Sequence, residues 1–129
     1  MARDLVRDDV VLSAKTWVVK VGTSVLTDGA GRLDPARIGH LAEQISAVMA
    51  TGRKVALVCS GAVGAGIGQL GLPRRPDNLR QLQAAAAVGQ AYLIRAYDEG
   101  LRRHGRHAAQ LLLTHEDFDN RSRYLNMRN

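Results

Sequence analysis

Two short apolar segments, residues 15–21 and 54–59, are predicted to be strands of one parallel sheet. The first has a near-continuous apolar run, a pattern typical of a strand buried on both faces. Between them, apolar residues recur at helical spacing from Ile38 to Met49 and give one apolar face. A strand, a helix and a strand in this order predict parallel pairing with a right-handed crossover.

Capping residues mark the ends of this helix and of a longer one that follows it. Asp34 stands before a proline and predicts the helix N-terminus, while Gly52 predicts its end. Asn78, three residues before Gln81, predicts the start of a second long helix that reaches about His104. Both helices are therefore bounded by residues that favour helix ends.

The remaining segments carry less regular patterns. A helix is predicted from about Ser60 to Gln69, although its glycines lower helix propensity; close packing against a neighbouring backbone or a ligand would explain them. Residues 107–113 predict a third parallel strand, and Asn120 predicts the start of a last helix. Residues 1–14 show no clear period, and we expect them to form a loose leader.

Composition narrows the classes of partner. The chain of 129 residues has a net charge of +6 and an isoelectric point near 10.2, which suits acidic ligands. Its basic residues are dispersed and its aromatic residues make up only 4%, so we expect no nucleic-acid partner. No segment is long and apolar enough to span a membrane. One cysteine, Cys59, excludes an internal disulfide, and we expect a cytoplasmic protein.

The first strand runs into a turn that has the groups needed to hold phosphate. Lys20 lies at the carboxyl end of this strand, where ligands bind in open α/β sheets. We interpret Lys20 as the catalytic residue, a charge on a transferring phosphoryl group. Gly22, Thr23 and Ser24 follow it and can donate backbone and hydroxyl hydrogen bonds to phosphate oxygens. The alternatives are an edge-strand lysine whose ammonium reaches water and an ordinary turn.

The second strand runs into a similar turn, Ser60, Gly61 and Ala62, at the start of a predicted helix. Ser60 can cap that helix and can also donate a hydrogen bond to a substrate carboxylate. We therefore assign these three residues to substrate binding. A plain N-cap without a ligand is the alternative.

Several other chemistries do not fit the sequence. No Gly-Lys-Ser or Gly-Lys-Thr occurs, which excludes a P-loop, and residues 64–66 lack the third glycine of the dinucleotide fingerprint. The histidines have no metal-ligand spacing, so we predict no metal site on the chain. Cys59 is expected to pack in the core. Asp117 and Asp119 are placed in a solvated loop.

Taken together, these segments resemble the amino acid kinase family in order and spacing over about residues 16–129. The pattern Lys-x-Gly-x-Ser, here Lys20 to Ser24, is shared across that family. The Ser-Gly-Ala turn at Ser60, with the later stretches, is similar to the branch that phosphorylates glutamate. The matching stretches are residues 18–27, 58–66, 81–90, 110–114 and 123–126.

The resemblance implies a fold, a reaction and several partners. The fold is an open, mostly parallel α/β sheet sandwiched by helices, of which residues 15–129 are the N-terminal half. The reaction transfers the γ-phosphoryl group of ATP to the side-chain carboxylate of L-glutamate, the first step of proline biosynthesis. Mg²⁺ is held mainly by the phosphates. Proline is implied as a feedback inhibitor, and a homo-oligomer is implied for the full-length protein.

The resemblance also implies the roles of individual residues. Lys20 takes the phosphate-contacting position and Ser60 a substrate-binding one, with Gly22, Thr23 and Gly61 beside them. The family's later substrate-binding and catalytic residues lie downstream of the matched stretches, so we expect these 129 residues to be inactive alone.

Two alternative functions stay open. One is another amino acid kinase, acting on acetylglutamate, aspartate or uridylate. The other is a non-catalytic domain that binds an amino acid or an anion through the same turns.

Overall fold

The computed structural model describes residues 5–29 and 32–129, and it confirms an α/β fold with a parallel sheet. Two strands, β1 and β2, pair side by side, and helices precede, connect and follow them in the sequence. In chain order the elements are α1 (Leu5–Ser13), β1 (Thr16–Val21), α2 (Thr23–Leu26), α3 (Pro35–Ala50), β2 (Lys54–Cys59), α4 (Ala62–Gln69), α5 (Leu79–Arg102), α6 (His115–Asp119) and α7 (Arg121–Arg128).

The two strands lie in the register that brings Thr16 opposite Lys54 and Val21 opposite Cys59. Side chains of one face pack against α3 and α5, while the other face is open within the described residues. On the open face Val18 is 70% exposed and Val58 is 52% exposed. The prediction that the first strand is buried on both faces is therefore wrong here, because no described element packs over these valines.

The core forms where β1, α2, α3 and α5 meet. Its central cluster of buried side chains is formed by Val21, Leu26, Ile38, Leu93 and Tyr97. As predicted, Cys59 packs against this core, and burial raises the pKa of its thiol. Burial also raises the pKa of the neighbouring Tyr97 hydroxyl. Burial therefore disfavours the thiolate of Cys59, which acts as a core residue.

The predicted caps of the two long helices are confirmed. The Asp34 carboxylate accepts from the backbone N–H groups of Ala36 (3.0 Å) and Arg37 (3.3 Å) at the start of α3. The Asn78 side chain accepts from the N–H of Gln81 at 2.8 Å at the start of α5. Helix α5 ends at Arg102, two residues before the predicted end.

Helices α4 and α5 cross at glycines, which explains why α4 is so rich in them. A Cβ atom on Gly66 would lie 1.7 Å from the carbonyl oxygen of Ala85, and one on Gly89 would lie 1.8 Å from that of Ala62. These distances are far below van der Waals contact, so only glycine permits the crossing. Of the two explanations offered for the glycines, the neighbouring backbone is the one that the structure supports.

The predicted third strand is wrong, because residues 107–113 have no ladder partner among the described residues. The N–H of Ala108 instead donates to the Asp98 carboxylate at 3.1 Å, and this hydrogen bond is the main cause of the lowered pKa of Asp98. Ala108 packs against the core. The leucines beyond it, residues 111–113, are exposed, since none of the described strands lies beside them.

The predicted loose leader is a helix over Leu5–Ser13, and residues 1–4 lie outside the described residues. Arg53, just before β2, holds the end of this helix in place. Its Nε donates to the carbonyl of Ala14 at 3.1 Å and its Nη2 to that of Leu12 at 3.0 Å. The same guanidinium lies 5.9 Å from the ring centroid of Trp17. Contacts 39 and 41 residues apart in the chain therefore order this segment.

Two short helices end the chain. The loop expected around Asp117 is helix α6, since Thr114 and Asp117 form a capping box in which the Asp117 carboxylate accepts from the Thr114 N–H at 2.7 Å. The predicted start of the last helix is confirmed, because the Asn120 side chain accepts from the N–H of Arg123 at 3.1 Å.

Candidate functional site

The two predicted turns meet at the carboxyl ends of the paired strands. The N–H of Ser60 donates to the carbonyl of Val21 at 3.1 Å, which extends the strand pairing by one bond. Beyond it, the Thr23 hydroxyl donates to the Ser60 hydroxyl at 3.5 Å. Residues 37 positions apart thus form one continuous surface, and all the site residues predicted from sequence lie on or beside it.

Lys20 lies on the open face of β1 with its ammonium close to the first turn. A Cβ atom on Gly22 would be 3.8 Å from Lys20 Nζ, so the ammonium reaches over the turn. The side chain is exposed and has neither a hydrogen bond nor an ion pair with the residues that the structure describes. Its charge is therefore available to an anion bound at the turn.

The first turn is the beginning of a one-turn helix that the sequence patterns did not reveal. Helix α2 spans Thr23–Leu26 with Gly22 at its N-cap, so Thr23 and Ser24 occupy its first positions with exposed side chains. Leu26 is fully buried and anchors the turn to the core. The Thr27 hydroxyl donates to the carbonyl of Thr23 at 3.1 Å and tightens it.

The second turn differs from the prediction in its cap. Helix α4 begins at Ala62 and its N-cap is Gly61, so Ser60 is not the capping residue. Gly61 has φ of +158° and ψ of −10° and is buried against Leu26; its Cβ would lie 3.3 Å from a Leu26 methyl. No side chain accepts a capping hydrogen bond from the first N–H groups of α4. The Ser60 hydroxyl is exposed beside them.

The donor set of this surface suits an anion and does not suit a metal ion. It consists of an ammonium, hydroxyls and backbone N–H groups, which are hydrogen-bond donors toward phosphate or carboxylate oxygens. Within the described residues, no three acidic, histidine or cysteine side chains are close enough to hold a metal. The surface is open. A groove of about 440 Å³ between α3, α4 and α5 is lined by other residues, among them Ile38, Tyr92 and Arg95.

None of the described helices combines the length and the apolar character needed to cross a membrane.

Comparison with known proteins places residues 15–129 in one family model, described as the amino acid kinase family. Among curated proteins, the chain is 54% identical over 129 residues to a glutamate 5-kinase of Rhodopirellula baltica, covering 99% of this chain and 33% of that protein. It is 48% identical over 120 residues to a glutamate 5-kinase of Azoarcus sp., covering 93% and 32%. A glutamate 5-kinase of Thioalkalivibrio sulfidiphilus is 50% identical over 115 residues, covering 89% and 31%. The chain spans about a third of the length of these relatives.

Proposed function

The chain belongs to the amino acid kinase family, and from this premise we propose that the full-length protein transfers the γ-phosphoryl group of ATP to the side-chain carboxylate of L-glutamate. The product is glutamyl 5-phosphate, and the reaction is the first step of proline biosynthesis. The names of the similar curated proteins support this choice of acceptor over acetylglutamate, aspartate or uridylate. We further propose a cytoplasmic location, a homo-oligomer, and proline as feedback inhibitor.

The observation that carries the proposal is the contact between the two turns. With the Thr23 and Ser60 hydroxyls 3.5 Å apart, a ligand at the first turn lies beside a ligand at the second. Phosphoryl transfer requires such an arrangement, because donor and acceptor oxygens must be held in line and close together. We assign the phosphates of ATP to Lys20 and the first turn, and glutamate to the second.

Lys20 is the proposed catalytic residue. Charge on the transferring phosphoryl group is spread over its equatorial oxygens, and a fixed cation stabilises that charge most strongly in the transition state. The Lys20 ammonium lies over Gly22 and is not neutralised by a described carboxylate. Thr23 and Ser24, with the N–H of Gly22, are proposed to hold the phosphate oxygens that do not react.

Ser60, Gly61 and Ala62 are the proposed glutamate-binding residues. Ser60 accepts a hydrogen bond from Thr23, which leaves its own proton free to donate to a carboxylate oxygen. The N–H groups at the start of α4, which no side chain caps, are also hydrogen-bond donors and carry the positive end of the helix dipole, which favours an anion. Both features favour a negatively charged acceptor at this turn.

Mg²⁺ is proposed to be held by the phosphates of ATP. The site residues described here are cationic or hydrogen-bond donors, and they offer no carboxylate cluster to a hard cation. When bound, Mg²⁺ would neutralise charge on the phosphates.

The reaction is tested directly with the full-length protein, ATP and Mg²⁺. We expect ADP release that depends on L-glutamate, together with an acyl phosphate that hydroxylamine converts to a hydroxamate. Aspartate and acetylglutamate serve as matched acceptors and should give little ADP. Turnover with acetylglutamate but not with glutamate would rule out the proposed acceptor.

Replacing Ser60 with alanine should weaken the binding of glutamate much more than the binding of ATP. Loss of a hydrogen bond to a charged group costs about 1.5–3 kcal/mol, so we expect the KM for glutamate to rise about tenfold or more. Because Ser60 is not the cap of α4, the thermal midpoint should change little. Steady-state kinetics with each substrate varied in turn measure both KM values.

The matched control for this variant is Ser13→Ala, which removes an exposed hydroxyl on α1 that donates only to the carbonyl of Val10 in the described structure. It should leave both KM values unchanged. An equal rise in the two KM values of the Ser60 variant would argue against a glutamate-specific role.

A further inference from the structure

The weakest element of the site is helix α2, because a single turn has little stability of its own. Nucleating a helix fixes several residues for one hydrogen bond, and the last carbonyls of any helix have no partner within it. Here the first turn is tightened by a bond from the N–H of Val25 to the carbonyl of Gly22, at 3.2 Å. Something outside α2 must hold its end in place.

Arg37 supplies that support from the first turn of α3. Its Nη1 donates to the carbonyl of Thr27 at 2.9 Å and to that of Ser24 at 3.3 Å. These carbonyls belong to the last turn of α2 and its C-cap. The guanidinium therefore satisfies oxygens that the short helix cannot satisfy by itself.

Arg37 is in turn held by Asp34. One carboxylate oxygen of Asp34 lies 3.2 Å from Arg37 Nε, while the other caps α3 by accepting from Ala36 and from Arg37 itself. The N–H of Asp34 also donates to the carbonyl of Leu26 at 2.9 Å. The start of α3 and the end of α2 thus form one hydrogen-bonded unit.

We propose that Arg37 is a positioning residue for the phosphate-binding turn. Arg37 binds the C-terminal end of α2, whereas Gly22 caps its N-terminal end. We assign no ligand to Arg37; it acts by fixing the helix that carries Thr23 and Ser24. The expected effect of Arg37 on ATP binding rests on the proposed function, but its effect on the stability of α2 can be tested without catalysis.

The structural test uses the 129-residue chain and amide hydrogen exchange. In Arg37→Met, which keeps the length of the side chain but has no donors, the N–H of Val25 should exchange about tenfold faster, the effect of losing roughly one hydrogen bond to a charged group. The N–H of Ala65, bonded to Gly61 at 2.8 Å in α4, is the internal reference and should not change. Arg37→Lys should restore part of the protection, since an ammonium can still reach a carbonyl.

The functional test uses the full-length protein. Arg37→Met should raise the KM for ATP about tenfold and leave the KM for glutamate within twofold, with Arg37→Lys in between. The matched control is Arg75→Met, which removes an exposed arginine from the loop before α5.

Unchanged exchange at Val25, or an equal rise in both KM values with a lower thermal midpoint, would overturn the proposal. If the parent protein does not phosphorylate glutamate, the proposed function fails, while the exchange result still decides whether Arg37 positions the turn.

Discussion

Lys20→Met is expected to lower the kcat of the full-length protein by about 10²–10³-fold, the loss typical of removing one preorganised group that stabilises transition-state charge. The ammonium lies over the first turn and has no other described partner, so its removal breaks no hydrogen bond or ion pair of the fold. The thermal midpoint should therefore stay near that of the parent. Single-turnover and steady-state measurements of ADP formation give the rate.

The matched control is Lys54→Met. Lys54 is an exposed lysine of the same sheet, at the opposite end of the paired strands, where it lies beside Thr16. It has the same charge and is also exposed, but it is remote from both turns, so kcat should not change. A Lys20 variant with a kcat within threefold of the parent would exclude the catalytic role.

Gly89→Ala is expected to destabilise the chain by about 3 kcal/mol or more, the upper end of the usual cost of overpacking. The added methyl would lie 1.8 Å from the carbonyl oxygen of Ala62 and 2.3 Å from the nitrogen of Gly66, and both are backbone atoms that cannot rotate away. The helix propensity of alanine returns only about 1 kcal/mol, so the clash dominates. Urea unfolding followed by circular dichroism measures the loss.

Gly39→Ala is the matched control for this variant. Gly39 lies inside α3, and a Cβ atom there would meet no described atom outside the backbone of its own helix within 4 Å. The same substitution should therefore be neutral or stabilise the chain by up to about 1 kcal/mol. A Gly89 variant as stable as the parent would mean that α4 and α5 do not cross as described. In the full-length protein Gly89→Ala should also weaken the binding of glutamate, because Ala62 belongs to the second turn.

Features that depend on neighbouring residues in the chain were predictable from the sequence. Asp34 and Asn78 cap their helices because a side chain of this kind reaches the N–H groups two or three positions later whatever the tertiary structure. The strands β1 and β2 and the turns at their ends were predictable for a similar reason. Apolar runs joined by an amphipathic helix leave few arrangements other than a parallel pair.

Features that depend on distant partners were not predictable. Residues 107–113 have the composition of a strand, but a strand also needs a neighbour, and the Ala108 N–H is bonded to Asp98 instead. Residues 5–13 showed no clear period, since their order comes from Arg53, far along the chain. The cap of α4 depended on whether the backbone turns at Ser60 or at Gly61, which only the packing of Gly61 against Leu26 decides. The role of Arg37 was invisible for the same reason.

The junction at which Arg53 joins α1 to the sheet can be followed by the intrinsic fluorescence of the protein. Trp17 is the one tryptophan of the chain, its indole nitrogen is buried, and the Arg53 guanidinium lies against its ring. Intrinsic fluorescence therefore comes from this junction with no background from other indoles, whereas far-ultraviolet circular dichroism is dominated by α3 and α5. Comparing the two signals during unfolding reveals whether the N-terminal helix detaches first or whether the whole chain melts as one cooperative unit.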